Sequence, residues 1–220
     1  MASQAAPPDP AHRATRVFVV RHGQTAWNAQ SRIQGNTDIG LDETGRRQAQ
    51  ALGAALADEG LDAIYASDLA RAVETARPAA DLARLAIVTD PGLRERGFGI
   101  FEGLTHAEVA QRWPDAAERW RRRDAHFGPE GGETLAAFYA RSVGCAERIA
   151  ARHAGQTIAI VTHGGVLDCL YRAATRASLQ APRTWHLGNA VVNRLLHSPQ
   201  GFALVGWNDA MHLETEPSVP

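Results

Sequence analysis

Apolar positions along this chain fall into two rhythms. Short continuous runs of β-branched residues read as strands buried on both faces. Spacings of three and four read as helices packed on one side. Val17-Phe18-Val19-Val20 is the first run. A polar loop follows over 29–40, and Asp42 is placed to cap a helix reaching about Glu59, with Ala49, Leu52, Leu56 and Ala57 on one face and Gly60 ending it. Leu61–Ala66 reads as a short strand, Ser67 or Asp68 as the cap of a helix to about Leu85, and Ile87-Val88 as a strand before the turn Asp90-Pro91-Gly92. The rhythm breaks over 94–133, where Trp113, Trp120, Phe127 and the turn-rich 128–132 stretch predict a helical insertion lying over one edge as a lid. A long helix is expected from Thr134 to His153, then the strand Ile158–Val161, a helix over Val166–Ala174, and closing strands at Val191–Leu196 and Phe202–Trp207. Strands alternating with helices predict an α/β fold, a three-layer α/β/α sandwich on a mostly parallel central sheet. Residues 16–207 make one domain in this reading, with a flexible leader over 1–15 and a tail over 208–220.

Two of the strands deliver the same kind of cargo. Val17–Val20 runs straight into Arg21-His22-Gly23, and Ile158–Val161 runs through Thr162 into His163-Gly164-Gly165. In open α/β sheets ligands bind at the carboxyl ends of the strands. If the two strands lie parallel and adjacent, both imidazoles face one crevice with Arg21 beside them. Gly23 has no Cβ, so its backbone N–H is expected to approach an anion closely. The pattern predicts a phosphate site centred on His22.

Composition narrows the chemistry. The net charge of −1 gives no field for nucleic acid, and the 45% hydrophobic and 21% charged residues are ordinary for a globular domain. All 23 basic residues are arginine, so a Schiff-base or P-loop lysine is excluded and any anion site rests on Arg, His and backbone N–H. Cys145 and Cys169 form no Cys-x-x-Cys pair, which argues against a disulfide framework or a structural zinc and for a reducing cytoplasm. No stretch is long and apolar enough for a membrane span, and no His-Glu-x-x-His spacing supports a metal.

Six segments in order carry a further signal: Arg21-His22-Gly23-Gln24-Thr25 with Asn28; Leu41 to Gly45; Ser67-Asp68-Leu69-Ala70-Arg71 with Glu74-Thr75-Ala76; Leu93-Arg94-Glu95 with Gly99 and Glu102-Gly103; Gly131-Gly132-Glu133-Thr134; and Thr162-His163-Gly164-Gly165. From Arg16 to Trp207 the chain resembles the histidine phosphatase superfamily, the group that includes cofactor-dependent phosphoglycerate mutase. The resemblance implies that His22 is the nucleophile and carries the phosphoryl group as phosphohistidine. It implies that Arg21, Arg71 and His163 surround that group, with Asn28 and Gly164 as further donors. It also implies that Glu95, expected among apolar Leu93, Phe98 and Phe101, is the general acid and base, with Glu102 as its competitor. Gln34 and Gly35 are expected to touch the rest of the substrate.

The mutases of that family carry a bulkier aromatic loop after the Asn and, in the lid, a lysine plus a paired arginine before a proline-rich stretch. Here 29–38 is short and polar and lysine is absent, so a phosphatase acting on a small phosphorylated metabolite is the expected function. A 2,3-bisphosphoglycerate-dependent mutase is the alternative, and 2,3-bisphosphoglycerate is a cofactor only in that case. A non-catalytic phospho-ligand module is a minor third. Arg121-Arg122-Arg123 reads either as a solvated helix face or as a stand-in for the missing lysine. No metal, nucleic-acid or membrane partner is expected, and the assembly is a monomer or homodimer.

Overall fold

The computed structural model describes residues 14–214. Six strands form one sheet in the order β3-β2-β4-β1-β5-β6: β1 Thr15–Arg21, β2 Ala63–Ala66, β3 Ile87–Thr89, β4 Thr157–Thr162, β5 Val192–Ser198 and β6 Gly201–Asp209. The pairings among β1, β2, β3 and β4 are parallel; β5 pairs antiparallel with β1 and with β6. Only β5 therefore runs against the rest, and the expected mostly parallel sheet is found.

The helices are α1 Ala26–Ala29, α2 Glu43–Leu56, α3 Ala70–Ala83, α4 His106–Arg112, α5 Pro114–Arg121, α6 Leu135–Ala151 and α7 Gly164–Thr175. Alternation along β1 explains the layering, because successive side chains leave a strand on opposite faces. Val17 and Val19 join Ile158 and Ile160 under α6 and α7, where Phe138, Ala146, Ile149, Leu167 and Leu170 complete one core. Phe18 and Val20 join Ala159 and Val161 under α2 and α3, against Leu52, Leu56, Ala72, Ala76 and Ala79. Phe101, Val109 and Phe127 of the insertion form a small core with Ile33 of the 29–40 loop, sealed by Trp113 and Trp120.

Element boundaries shift where a cap comes from elsewhere. Asp42 caps α2 as expected, its carboxylate accepting the Gly45 N–H at 2.8 Å. Neither Ser67 nor Asp68 caps α3: Leu69 holds the N-cap position without a side-chain bond, and the Ala70 N–H goes to Asp38 Oδ1 at 2.8 Å. α7 starts at Gly164, two residues ahead of the expected Val166. Thr15, assigned above to the leader, is buried in β1 and donates to Ala150 O at 2.8 Å; the rest of the leader, 1–13, lies outside the described residues apart from Ala14. The tail boundary moves too. Asn208 and Asp209 belong to β6, Met211–Leu213 forms a 3-10 turn, and 215–220 lie outside the described residues. No helix among the described residues is long and apolar enough to cross a membrane.

Candidate active site

β1 and β4 are adjacent and parallel, with Arg21 opposite Thr162, so each strand sends its histidine out one residue later. The two rings meet with centroids 5.2 Å apart and planes tilted by 59°. The His22 backbone N–H donates to Thr162 O at 2.8 Å and fixes the crossing of the two strand ends.

His22 is 3% exposed, and its Nδ1 lies 2.7 Å from Gly23 O. A carbonyl accepts only, so Nδ1 carries the proton and Nε2 keeps its lone pair. Burial, reinforced by the Arg21 and Arg71 guanidiniums, holds the His22 pKa well below the ordinary imidazole value. The ring is therefore neutral at pH 7, with a nucleophilic nitrogen and a defined tautomer. His163 is fully buried, its pKa also pushed well down by burial and then by Arg71, His22 and Arg21. Neither of its ring nitrogens has a hydrogen-bond partner.

The two arginines are held so that their charge is not neutralised. Arg21 Nη1 donates to Leu187 O at 2.6 Å, and Arg71 donates to Thr37 O at 2.9 Å and Gly35 O at 2.7 Å. These partners are carbonyls, not carboxylates, and the Nε–H of each arginine is buried and unpartnered. Two buried guanidiniums and an imidazole with unspent polar atoms are costly in isolation. An anion among them recovers that cost.

Arg21, His22, Asn28, Gln34, Gly35, Arg71, Glu95 and Gly164 all line one cavity of about 880 Å³. His163 is not in its wall; it backs onto the His22 ring. Asn28 belongs to α1, a turn absent from the sequence expectation, where Thr25 and Asn28 form a reciprocal cap. Its Oδ1 accepts from Thr25 N and Oγ1 at 3.1 and 3.2 Å, which leaves its amide nitrogen for a ligand. Gln34 spends its Oε1 on Thr25 Oγ1 at 3.0 Å.

The two candidate carboxylates separate cleanly. Glu95 lines the cavity, its oxygens accepting the N–H groups of Arg96 and Gly165, both at 3.0 Å. Backbone donors thus hold it, rather than the apolar shell of Leu93, Phe98 and Phe101 expected from sequence; Leu93 belongs to the main core and Phe101 to the insertion's own. Glu102 faces the loop instead and accepts from Asn36 N, Thr37 N, Thr37 Oγ1 and Phe98 N at 2.5–3.1 Å. It clamps the same loop that Arg71 grips from the other side.

Glycines set several of these approaches. A Cβ on Gly165 would stand 2.2 Å from Glu95 Oε1, so only glycine lets that carboxylate reach the start of α7. Gly23 serves a different purpose from the one expected. Its N–H is spent on Thr75 Oγ1 at 2.9 Å, and a Cβ there would meet Gly45 O at 2.6 Å. It is a packing glycine between β1 and α2, not an anion donor.

The Glu95 segment is pinned from three directions. Arg94 makes a bidentate pair with Asp68 at 2.6–2.7 Å, and that guanidinium holds the Asp68 pKa below its usual value. Thr162 Oγ1 donates to Leu93 O at 2.6 Å, and Arg141, itself paired with Glu133, donates to Glu95 O at 3.2 Å. The arginine triplet divides: Arg121 and Arg122 pair with Glu118 on the surface, whereas Arg123, at φ 55°, turns back to Asp168 at 2.6 Å. Sequence reasoning missed Asp168, Arg183, Leu187 and Asn189, whose Nδ2 donates to His22 O at 2.8 Å. The 176–191 segment that carries three of them has no periodicity to flag it.

A family model described as "Histidine phosphatase superfamily (branch 1)" matches residues 17–210. This chain belongs to the histidine phosphatase superfamily. It is 39% identical over 203 residues to "Phosphoglycerate mutase-like protein 4" of Arabidopsis thaliana, covering 90% of this chain and 86% of the relative. It is 37% identical to a "Metal-independent phosphoserine phosphatase" of the same plant, covering 91% and 84%. The solved structure of a mycobacterial glucosyl-3-phosphoglycerate phosphatase with VO3 superposes with a TM-score of 0.78 at 33% identity, covering 88% of this chain and 99% of that one. Histidine phosphatases of these kinds are phosphatases or phosphoglycerate mutase-type enzymes, and the chain is an enzyme of that breadth.

Proposed function

We propose that this chain is a phosphomonoester hydrolase that works through phosphohistidine at His22 on a small phosphorylated metabolite. The observation that carries this reading is the pair of unpartnered buried donors on Arg21 and Arg71 beside a neutral His22 with a free Nε2, backed by the His163 ring. A phosphoryl group fits that set, because its transfer depends on positioned donors and fixed positive charge. The names of the relatives, phosphoserine phosphatase and glucosyl-3-phosphoglycerate phosphatase, point the same way.

The proposed reaction has two steps. His22 Nε2 attacks phosphorus, and a P–N bond forms as the ester P–O bond breaks. Protonated Glu95 gives its proton to the departing alkoxide. Water then enters, Glu95 as carboxylate takes its proton, and oxygen attacks phosphorus. The P–N electrons return to Nε2, releasing phosphate and neutral His22. Arg21 and Arg71 supply the positive charge, Asn28 and the amino end of α7 at Gly164 supply neutral donors, and His163 buttresses the His22 ring. Two free buried cysteines fit a reducing, cytoplasmic setting.

The test is turnover of p-nitrophenyl phosphate in the presence of a chelator, with free phosphate measured. Hydrolysis lost in His22→Ala supports the reading; phosphate binding without any turnover by the wild type refutes it. Incubation with 3-phosphoglycerate and a trace of 2,3-bisphosphoglycerate separates the outcomes further. Rapid formation of 2-phosphoglycerate with little free phosphate would make the chain a mutase.

A further inference from the structure

We infer that Arg183 recognises a second anionic group on the leaving group, so that the site favours phosphomonoesters bearing a carboxylate or further phosphate. The inference rests on the hydrolase reading above and deepens it. A cavity of about 880 Å³ is at the upper end for small-molecule sites, so it accommodates far more than a phosphoryl group.

The other guanidiniums around the outer part of the cavity already have hydrogen-bond partners. Arg32 donates to Gly103 O at 2.6 Å and pairs with Glu108; Arg96 donates to the carbonyls of Phe127 and Glu133; Arg121 pairs with Glu118; Arg123 pairs with Asp168. Arg183 lines the same cavity, is exposed, and makes no hydrogen bond or ion pair with any described residue. Of the acids in this wall, Asp168 is paired with Arg123 and Arg172, and Glu95 accepts backbone N–H groups at the reacting end. A second anionic group on a substrate finds a free guanidinium at Arg183.

The backbone that presents Arg183 is fixed on both sides. Arg172 holds Ser178 O and Arg123 holds Leu179 O before it. After it, Trp185 stacks on Tyr171 at 3.9 Å under the Arg172 guanidinium, Trp207 Nε1 donates to His186 O at 2.9 Å, and Arg21 holds Leu187 O. Burial chiefly lowers the proton affinity of Arg21 and of His106 in the insertion, and the Arg183 charge adds a lesser push to both. Arg183 shares one cavity with Arg21, His22 and Arg71 at the reacting end and with His106 of the insertion.

The test compares kcat/KM of wild type and Arg183→Ala on 3-phosphoglycerate, fructose 1,6-bisphosphate, O-phosphoserine and glycerol 3-phosphate. The wild type is expected to prefer an anionic leaving group over glycerol 3-phosphate, and the preferred one of the first two tells carboxylate from phosphate. Arg183→Ala should cut that preference about ten-fold or more, the size expected for loss of one charge-assisted hydrogen bond, and Arg183→Lys should restore part of it. An unchanged preference in Arg183→Ala overturns the assignment while leaving the hydrolase reading intact. Wild-type preference for glycerol 3-phosphate over all the anionic substrates overturns the assignment as well. Absence of any wild-type turnover, p-nitrophenyl phosphate included, overturns the hydrolase reading and this inference with it.

Discussion

Gly165→Ala separates catalysis from stability. The new Cβ would lie 2.2 Å from Glu95 Oε1, where ordinary contact begins at 3.4 Å, so the carboxylate must retreat by at least 1.2 Å. Phe138 Cε1, 3.0 Å from the same point, must give by a few tenths of an ångström. The atom that moves most is the end of a flexible side chain, so folding loses little beyond the bond to the Gly165 N–H, about 1–2 kcal/mol. In a chain of this size that lowers Tm by only a few degrees. A misplacement of about 1 Å at a general acid costs about 10²-fold in rate, or about 2.7 kcal/mol of barrier. The loss should fall on kcat/KM for glycerol 3-phosphate, whose alkoxide needs a proton to leave. It should be far smaller for p-nitrophenyl phosphate, whose nitrophenolate does not. Steady-state kinetics on both substrates, with a thermal melt of each protein, makes the comparison. Equal losses on the two substrates, or full activity on both, would refute the role given to Glu95.

Glu102→Ala should raise KM several-fold with kcat little changed, because the four donors it serves hold the 35–37 loop against Arg71; kinetics beside a urea melt checks this. Asp168→Asn leaves Arg123 and Arg172 without their shared counter-charge and should cost about 3–5 kcal/mol in urea denaturation. His22 and His163 have folded pKa values well below the unfolded imidazole's, so below about pH 6.5 the unfolded chain binds protons that the folded one does not. Stability should therefore fall as pH drops from 7 to 5, each histidine contributing a slope of up to about 1.4 kcal/mol per pH unit. Thermal melts across that range, with His163→Gln showing a shallower slope, test it; a flat profile would contradict the burial argument.

The parts legible in the sequence were those in which one local signal suffices. β1 and β4 announce themselves because both faces of a central strand are buried, which makes their apolar runs continuous. The strand-His-Gly endings then place His22 and His163 together. What stayed hidden depends on partners far along the chain. The cap of α3 comes from Asp38, 32 residues ahead of Ala70, so the nearer Ser67 and Asp68 mislead. Gly23 looks like an anion glycine until α2 brings Gly45 against it. Glu95 and Glu102 look alike in sequence, and only the fold turns one to the cavity and the other to the loop. Arg123 reads as one of three equal arginines, yet its left-handed backbone sends it back to Asp168.

The most direct test of the central claim is the covalent intermediate. The protein is mixed with a phosphorus-labelled phosphomonoester, quenched within the first turnovers, and mapped by mass spectrometry, with Glu95→Gln used to slow hydrolysis of the adduct. One acid-labile, base-stable phosphoryl group on the peptide containing His22, absent in His22→Ala, is the result this account predicts. Steady turnover with no such adduct, or an adduct on another residue, would contradict it.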